Sequence, residues 1–181
     1  MEFEGLSRDV LADLARCVEG VDGSAVRALV DALADSGQVT LVGTGRSGSM
    51  LRAMAIRLGH VGVAARCVGP DEPVEVGAGE LVLVGSGSGR TPVPLEQAGA
   101  ARSAGATIIA LTADPDSPIA RLADRVVAIP AALSSDDDGP HTLRSLFEEA
   151  LLVVCDCVCR LLADKLGVTP EDMQARHAPD R

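Results

Sequence analysis

The sequence predicts an α/β fold, a five-stranded parallel sheet flanked by helices, and three observations predict it. Short runs of Val, Leu and Ile alternate with longer stretches of helical spacing, the pattern of strand–helix–strand units with right-handed crossovers. Two of those runs end in glycine-rich loops that open directly into helical patterns. The 181 residues include two Phe, no Tyr and no Trp, so the core must be built from Val, Leu, Ile and Ala. That composition suits parallel strands buried on both faces. A chain of this length fits one domain covering 1–181, with N-terminal helices over 6–36, a sheet core over 38–130, and a long helix with its tail over 142–181.

Helical spacing marks residues 6–17 and 24–34, separated by the turn-prone Gly20-Val21-Asp22-Gly23. Val39-Thr40-Leu41-Val42 is the first strand, and a helix over about 47–60 places Leu51, Met54, Ala55 and Leu58 on one face. Residues 61–68 turn back into the second strand. The third strand is Leu81-Val82-Leu83-Val84. Thr91 followed by Pro92 reads as an N-cap with proline at the first helical position, opening a helix to about Ser103. Thr107–Thr112 forms the fourth strand, 117–123 a short helix and 125–129 the fifth strand.

Residues 131–140, AALSSDDDGP, read as a loop whose three aspartates are solvated, and His141 beside it reads as a surface residue. The longest helix covers about 143–166. Its main stripe is Leu143, Phe147, Ala150, Leu151, Val154, Val158, Leu161 and Leu162, with Leu152, Val153 and Cys157 on the other side. A helix apolar nearly all round is buried on more than one side, which predicts a subunit interface in a dimer or tetramer. Cys155, Cys157 and Cys159 resemble a metal motif, yet helical spacing turns Cys157 away from the other two, and zinc needs converging thiolates. They read as small buried apolar residues.

The net charge of −10 argues against nucleic acid or an anionic membrane as partner. No apolar run reaches the length of a membrane span, and no leader opens the chain, which predicts a cytoplasmic protein with reduced thiols.

Gly43-Thr44-Gly45-Arg46-Ser47-Gly48 fits the G-x-G-x-x-G pattern of a dinucleotide turn. That reading also needs an acid at the tip of the second strand, where Cys67-Val68 stands instead. A nucleoside-triphosphate loop would need G-K-[ST], which is missing. The second loop, GSGSGRT at 85–91, carries more chemistry. Ser86, Ser88 and Thr91 surround glycines just before a helix N-terminus, a compact set of donors for one phosphate monoester. A Ser/Gly turn with an N-cap would explain Thr91 alone.

These two loops together resemble the sugar isomerase (SIS) domain, and within it the 6-phospho-3-hexuloisomerases. The matching stretches are GTGRSG at 43–48, IRLGHVGV at 56–63, GSGSGRT at 85–91, ALTADPDSPIARLADRVVAIP at 110–130, SLFEEALLVVCD at 145–156 and EDMQARHA at 171–178. The resemblance implies a flavodoxin-like three-layer sandwich and interconversion of D-arabino-3-hexulose 6-phosphate with fructose 6-phosphate through an enediol. It implies no metal and no redox cofactor. It places the catalytic carboxylate at Glu148, whereas the residues themselves leave Glu148 and Glu149 equally suited, as acids of a helix start or as a desolvated base. His60 and His177 are raised from a helix-end residue and a tail residue to proton-shuttle candidates, with His177 reaching a neighbouring subunit. Gly45, Arg46, Ser47, Ser86, Ser88 and Thr91 form the expected phosphosugar-binding set. Arg90 stands where such enzymes commonly carry an acid, which either strengthens phosphate binding or marks a different sugar. A phosphosugar-sensing module without catalysis is the remaining reading.

Overall fold

The central strands are runs rich in Val, Leu and Ile that are apolar on both sides of the pleat, whereas the edge strands at 64–68 and 125–128 carry the exposed Arg66 and Arg125. The computed structural model describes residues 2–131, 140–141 and 145–177. Strands β1 (Gln38–Val42), β2 (Ala64–Val68), β3 (Leu81–Gly85), β4 (Thr107–Thr112) and β5 (Arg125–Ala128) form one all-parallel sheet in the order β2-β1-β3-β4-β5. This is the flavodoxin-like order, with the connection reversing direction between β1 and β3. Leu41 stands opposite Leu83, and Leu83 opposite Ile109, in the paired registers.

Alternation sorts the strand side chains into two core layers. Leu41, Leu83, Ile109 and Leu111 pack with α2 (Gly23–Ser36), α3 (Gly45–Val61) and α6 (Leu146–Leu166), and Cys17 of α1 (Phe3–Glu19) joins that core. On the opposite face Val82, Val84, Ile108 and Ala110 meet Ala98 and Ala101 of α4 (Pro92–Ser103) and Ile119 of α5 (Pro118–Leu122). The short helix α7 (Pro170–Arg176) lies against α3. Each fully buried Leu, Ile or Val contributes about 1.5–3 kcal/mol, so the two layers together carry most of the stabilisation.

The helix ends differ from expectation where backbone geometry overrides side-chain pattern. The α3 helix continues to Val61 and closes at Gly62, whose φ of 98° admits the left-handed turn. The amides of Gly62 and Val63 both donate to the Leu58 carbonyl at 2.9 Å, so β2 starts only at Ala64. Arg176 of α7 adds a second stop by donating to the His60 and Val61 carbonyls, each at 3.1 Å. A cation on the last carbonyls of a helix satisfies both hydrogen bonding and dipole.

Along α6 the predicted stripe is buried at Phe147, Ala150, Leu151, Val154, Val158 and Leu162. Leu161 departs from it and is 44% exposed, and Leu152 and Val153 are only half-buried. Cys155 and Cys159 are buried as expected, but Cys157 is exposed, which corrects its reading as a buried residue: helical spacing turns it to the opposite side of α6 from the core. Burial pushes the Cys155 thiol far up and that of Cys159 up to about 12, as expected for inert core thiols. The expected helix start at Leu143 and the three aspartates fall outside the described residues.

Candidate active site

Ligands of open parallel sheets bind beyond the strand carboxyl ends, where the connection reverses. Here that place lies between the loops that leave β1 and β3. Glycines let the loops converge. A Cβ at Gly43 would stand 3.1 Å from the Gly85 carbonyl, and one at Gly48 only 2.5 Å from the Gly43 carbonyl. These glycines therefore seat α3 tightly on β1, a packing role distinct from cradling a pyrophosphate. Gly45 adopts a φ of 56° at the mouth of the loop, where it and Arg46 are exposed.

Ser47 is buried beside them, and its Oγ donates to Glu148 Oε1 at 3.2 Å. Arg46 pairs with Glu148 Oε2 at 3.4 Å, the Glu148 side chain being only 15% exposed. The first loop thus reaches across to the first turn of α6. Glu149 faces elsewhere. It accepts from Ser145 Oγ at 2.8 Å and meets His141 Nδ1 at 2.9 Å. The fold separates two carboxylates that sequence leaves equivalent.

The second loop closes the other side. Gly87 has no room for a side chain, since a Cβ there would touch the Phe147 ring at 3.0 Å. That contact sets the loop against α6 one residue before Glu148. Thr112 Oγ1 and the Ala113 amide both donate to the Gly87 carbonyl, at 3.1 and 3.0 Å, and Ile119 donates to Gly89 at 3.1 Å. Gly89 sits at φ 58°, where a Cβ would overlap Ser117. The loop is accordingly held in one shape before any ligand arrives.

Thr91 occupies the N-cap position of α4, but its hydroxyl makes no capping bond and instead meets Ser86 Oγ at 3.0 Å. This corrects the simple capping role. Ser86 is 3% exposed, and Ser88 Oγ accepts from the Arg90 amide at 3.2 Å. Pro92 and Pro94 contribute no N–H, so Val93 supplies the first helical donor of α4. Arg90 ion-pairs with Asp114 at 2.8 Å, latching this loop to the one after β4. Sequence offers no signal for that pairing across 24 positions.

His60 and His177 meet each other, with His177 Nδ1 3.1 Å from His60 Nε2 and the rings edge to face. They line a cleft with Pro170, Met173 and Gln174. His60 lies in the last turn of α3, however, and Ser47 in the first. At 1.5 Å per residue the helix separates them by roughly 20 Å. Within one chain the histidine pair and Glu148 do not come together. His177 is also ordered as the C-cap of α7, in contrast to a free tail.

His141, expected at the surface, is buried. Its side chain is 2% exposed between Glu149 and Asp13, whose Oδ2 is 3.6 Å from Nε2. Among the described residues no group of three or more His, Cys, Asp or Glu could hold a metal ion.

Known proteins share this architecture and sequence. The SIS domain model matches residues 32–135. The chain is 43% identical over 177 residues to a protein of Mycobacterium gastri named 3-hexulose-6-phosphate isomerase, covering 96% of this chain and 87% of that one. A protein of the same name from Bacillus subtilis is 33% identical, with 94% of each chain covered. The crystal structure of a Methanococcus jannaschii protein, from which a 3-hexulose-6-phosphate isomerase function was inferred, superposes with a TM-score of 0.78 at 25% identity over 96% of both chains. With a domain match over more than half its length and relatives spanning nearly all of it, the chain belongs to the SIS domain family.

Proposed function

We propose that the protein is a phosphosugar isomerase that interconverts D-arabino-3-hexulose 6-phosphate and fructose 6-phosphate. The observation that carries this reading is Glu148, held by Ser47 and Arg46 at the switch point beside a rigid serine loop. The names of the relatives supply the sugar.

Isomerisation needs a base for a carbon-bound proton, donors for the developing oxyanion and an anchor for the phosphate. Ser86, Ser88 and Thr91 hold the phosphate, with the exposed Gly45 lining the other wall. Glu148 removes the C2 proton of the 3-ketose, giving a 2,3-enediol as O3 gains a proton. Returning that proton to C3 while O2 loses its own leaves the 2-ketose. Arg46, paired with the carboxylate, faces the oxygens on which charge develops.

His60 and His177 move protons between O2 and O3, and they act on the site of a neighbouring protomer. The separation along α3 supports this, as do the apolar side chains left exposed at Leu11, Ile56, Leu161 and Leu166. Self-association runs through the α6 helix and its surroundings. Among the described residues no helix is long and apolar enough to cross a membrane. We place the enzyme in the cytoplasm, acting on a small phosphorylated sugar.

The direct test generates 3-hexulose 6-phosphate from formaldehyde and ribulose 5-phosphate and follows fructose 6-phosphate. Turnover is expected, and a folded protein that binds phosphosugars without turnover refutes the isomerase. The shared site has its own test. His60→Ala and Glu148→Gln copies, each inactive, are refolded together; random pairing is expected to restore roughly a quarter of the wild-type activity. No restoration would mean that each chain uses its own histidines.

A further inference from the structure

His141 stands outside the set of residues so far given a role, yet it is one of the most buried polar side chains of the protein. Its ring is 2% exposed and is flanked by carboxylates from two different helices. Nδ1 meets Glu149 Oε2 at 2.9 Å, and Nε2 faces Asp13 Oδ2 of α1 at 3.6 Å. Among the described residues neither ring nitrogen nor Glu149 Oε2 makes a hydrogen bond of good geometry, so the carboxylates stand beside the ring as close polar neighbours. Ser145, at the N-cap of α6, completes the cluster by donating to Glu149 Oε1 at 2.8 Å.

The geometry points to His141 as a positioning residue for the isomerisation, acting through Glu149 and the first turn of α6 on Glu148. This inference rests on the isomerase reading. Glu148 and Glu149 are consecutive in the same helical turn, and they are pulled toward opposite sides. Glu148 is drawn to Ser47 and Arg46 on α3, while Glu149 is drawn to His141 and, beyond it, to α1. A turn gripped from both sides cannot rotate about its axis without breaking one grip. Holding that rotation fixes where the Glu148 carboxylate meets C2 and C3 of the sugar.

A polar imidazole is costly to bury. An apolar residue would fill the same space without that cost, so a polar ring held 2.9 Å from Glu149 needs a reason beyond packing. The alignment demanded by proton transfer from carbon supplies one, since a displacement of about 1 Å costs on the order of a hundredfold in rate.

Steady-state turnover of 3-hexulose 6-phosphate by wild type, His141→Ala and His141→Asn tests the assignment, with fructose 6-phosphate affinity measured by calorimetry. His141→Ala is expected to lower kcat by about ten- to a hundredfold, with KM and affinity moving by less than about threefold. His141→Asn places an amide N–H where Nδ1 meets Glu149 and is expected to recover most of the lost kcat. Where the alanine variant does not fold, His141→Leu takes its place, filling the space without a donor. A kcat within about threefold of wild type in the alanine or leucine variant overturns the assignment, as does an asparagine variant no better than they are. A wild type that turns over no phosphosugar overturns the isomerase reading and this inference with it. An active wild type whose kcat ignores His141 overturns this inference alone.

Discussion

Glu148→Gln is expected to lower kcat by about a thousandfold while leaving KM nearly unchanged, the span that general acid–base catalysis contributes. The variant keeps the shape of the side chain and keeps an oxygen for the Ser47 hydroxyl, which now reaches Oε1 at 3.2 Å. It loses the basic oxygen and the ion pair with Arg46. Phosphate binding should persist because the hydroxyls of Ser86, Ser88 and Thr91 belong to a loop held by Thr112, Ala113 and Ile119 rather than by the carboxylate. The checks are steady-state kinetics and calorimetric titration with fructose 6-phosphate. A kcat within about tenfold of wild type would remove Glu148 from the base role. Glu149 is poorly placed to inherit it, with one oxygen on Ser145 and the other against His141.

Gly48→Ala is expected to cost about 2–3 kcal/mol of stability, the upper part of the usual range for an overpacked core. The added Cβ would sit 2.5 Å from the Gly43 carbonyl oxygen and 2.9 Å from its carbon. Both obstacles are backbone, so no rotamer change relieves them, and α3 must back away from the end of β1. Calorimetry should show a Tm lower by roughly 5–10 °C for a chain of this size. Turnover should fall further than stability alone explains, because Ser47 moves with its neighbour. Gly59→Ala in the same helix is the control. Nothing stands within 4 Å of a Cβ there, so loss of unfolded-state freedom should stabilise the protein by about 0.5–1 kcal/mol. Equal Tm values for the two variants would show that α3 is not seated on the glycine loop.

How legible the protein was depends on the range of the physics involved. The five strands and the helices between them were readable because each is announced by its own residues: apolar runs for strands, helical spacing for helices. Errors fell at ends, as at residues 61–63, where the left-handed turn of Gly62 and the Arg176 guanidinium decide what the side-chain pattern does not. The place of the serine loop was equally readable, since glycines and hydroxyls between an apolar run and Thr91-Pro92 mark a strand end and a helix start. Thr91 shows the limit. Its N-cap position was plain, but its hydroxyl turned to Ser86, a choice made by the shape of the whole loop.

Alternating strands and helices, a core without Tyr or Trp and two glycine loops determined by themselves that this chain is a parallel α/β protein with two glycine-rich loops at its strand ends. Local propensity and burial suffice for that. Tertiary structure alone decided which of two adjacent glutamates faces the loops, that Arg90 is engaged by Asp114, and that His141 is buried between Glu149 and Asp13. It also decided that His60 and His177 meet each other at the far end of α3 from Glu148. Each of those outcomes turns on side chains brought together across the sheet or between helices. Such contacts are set by the packing of whole elements, and no stretch of sequence states them.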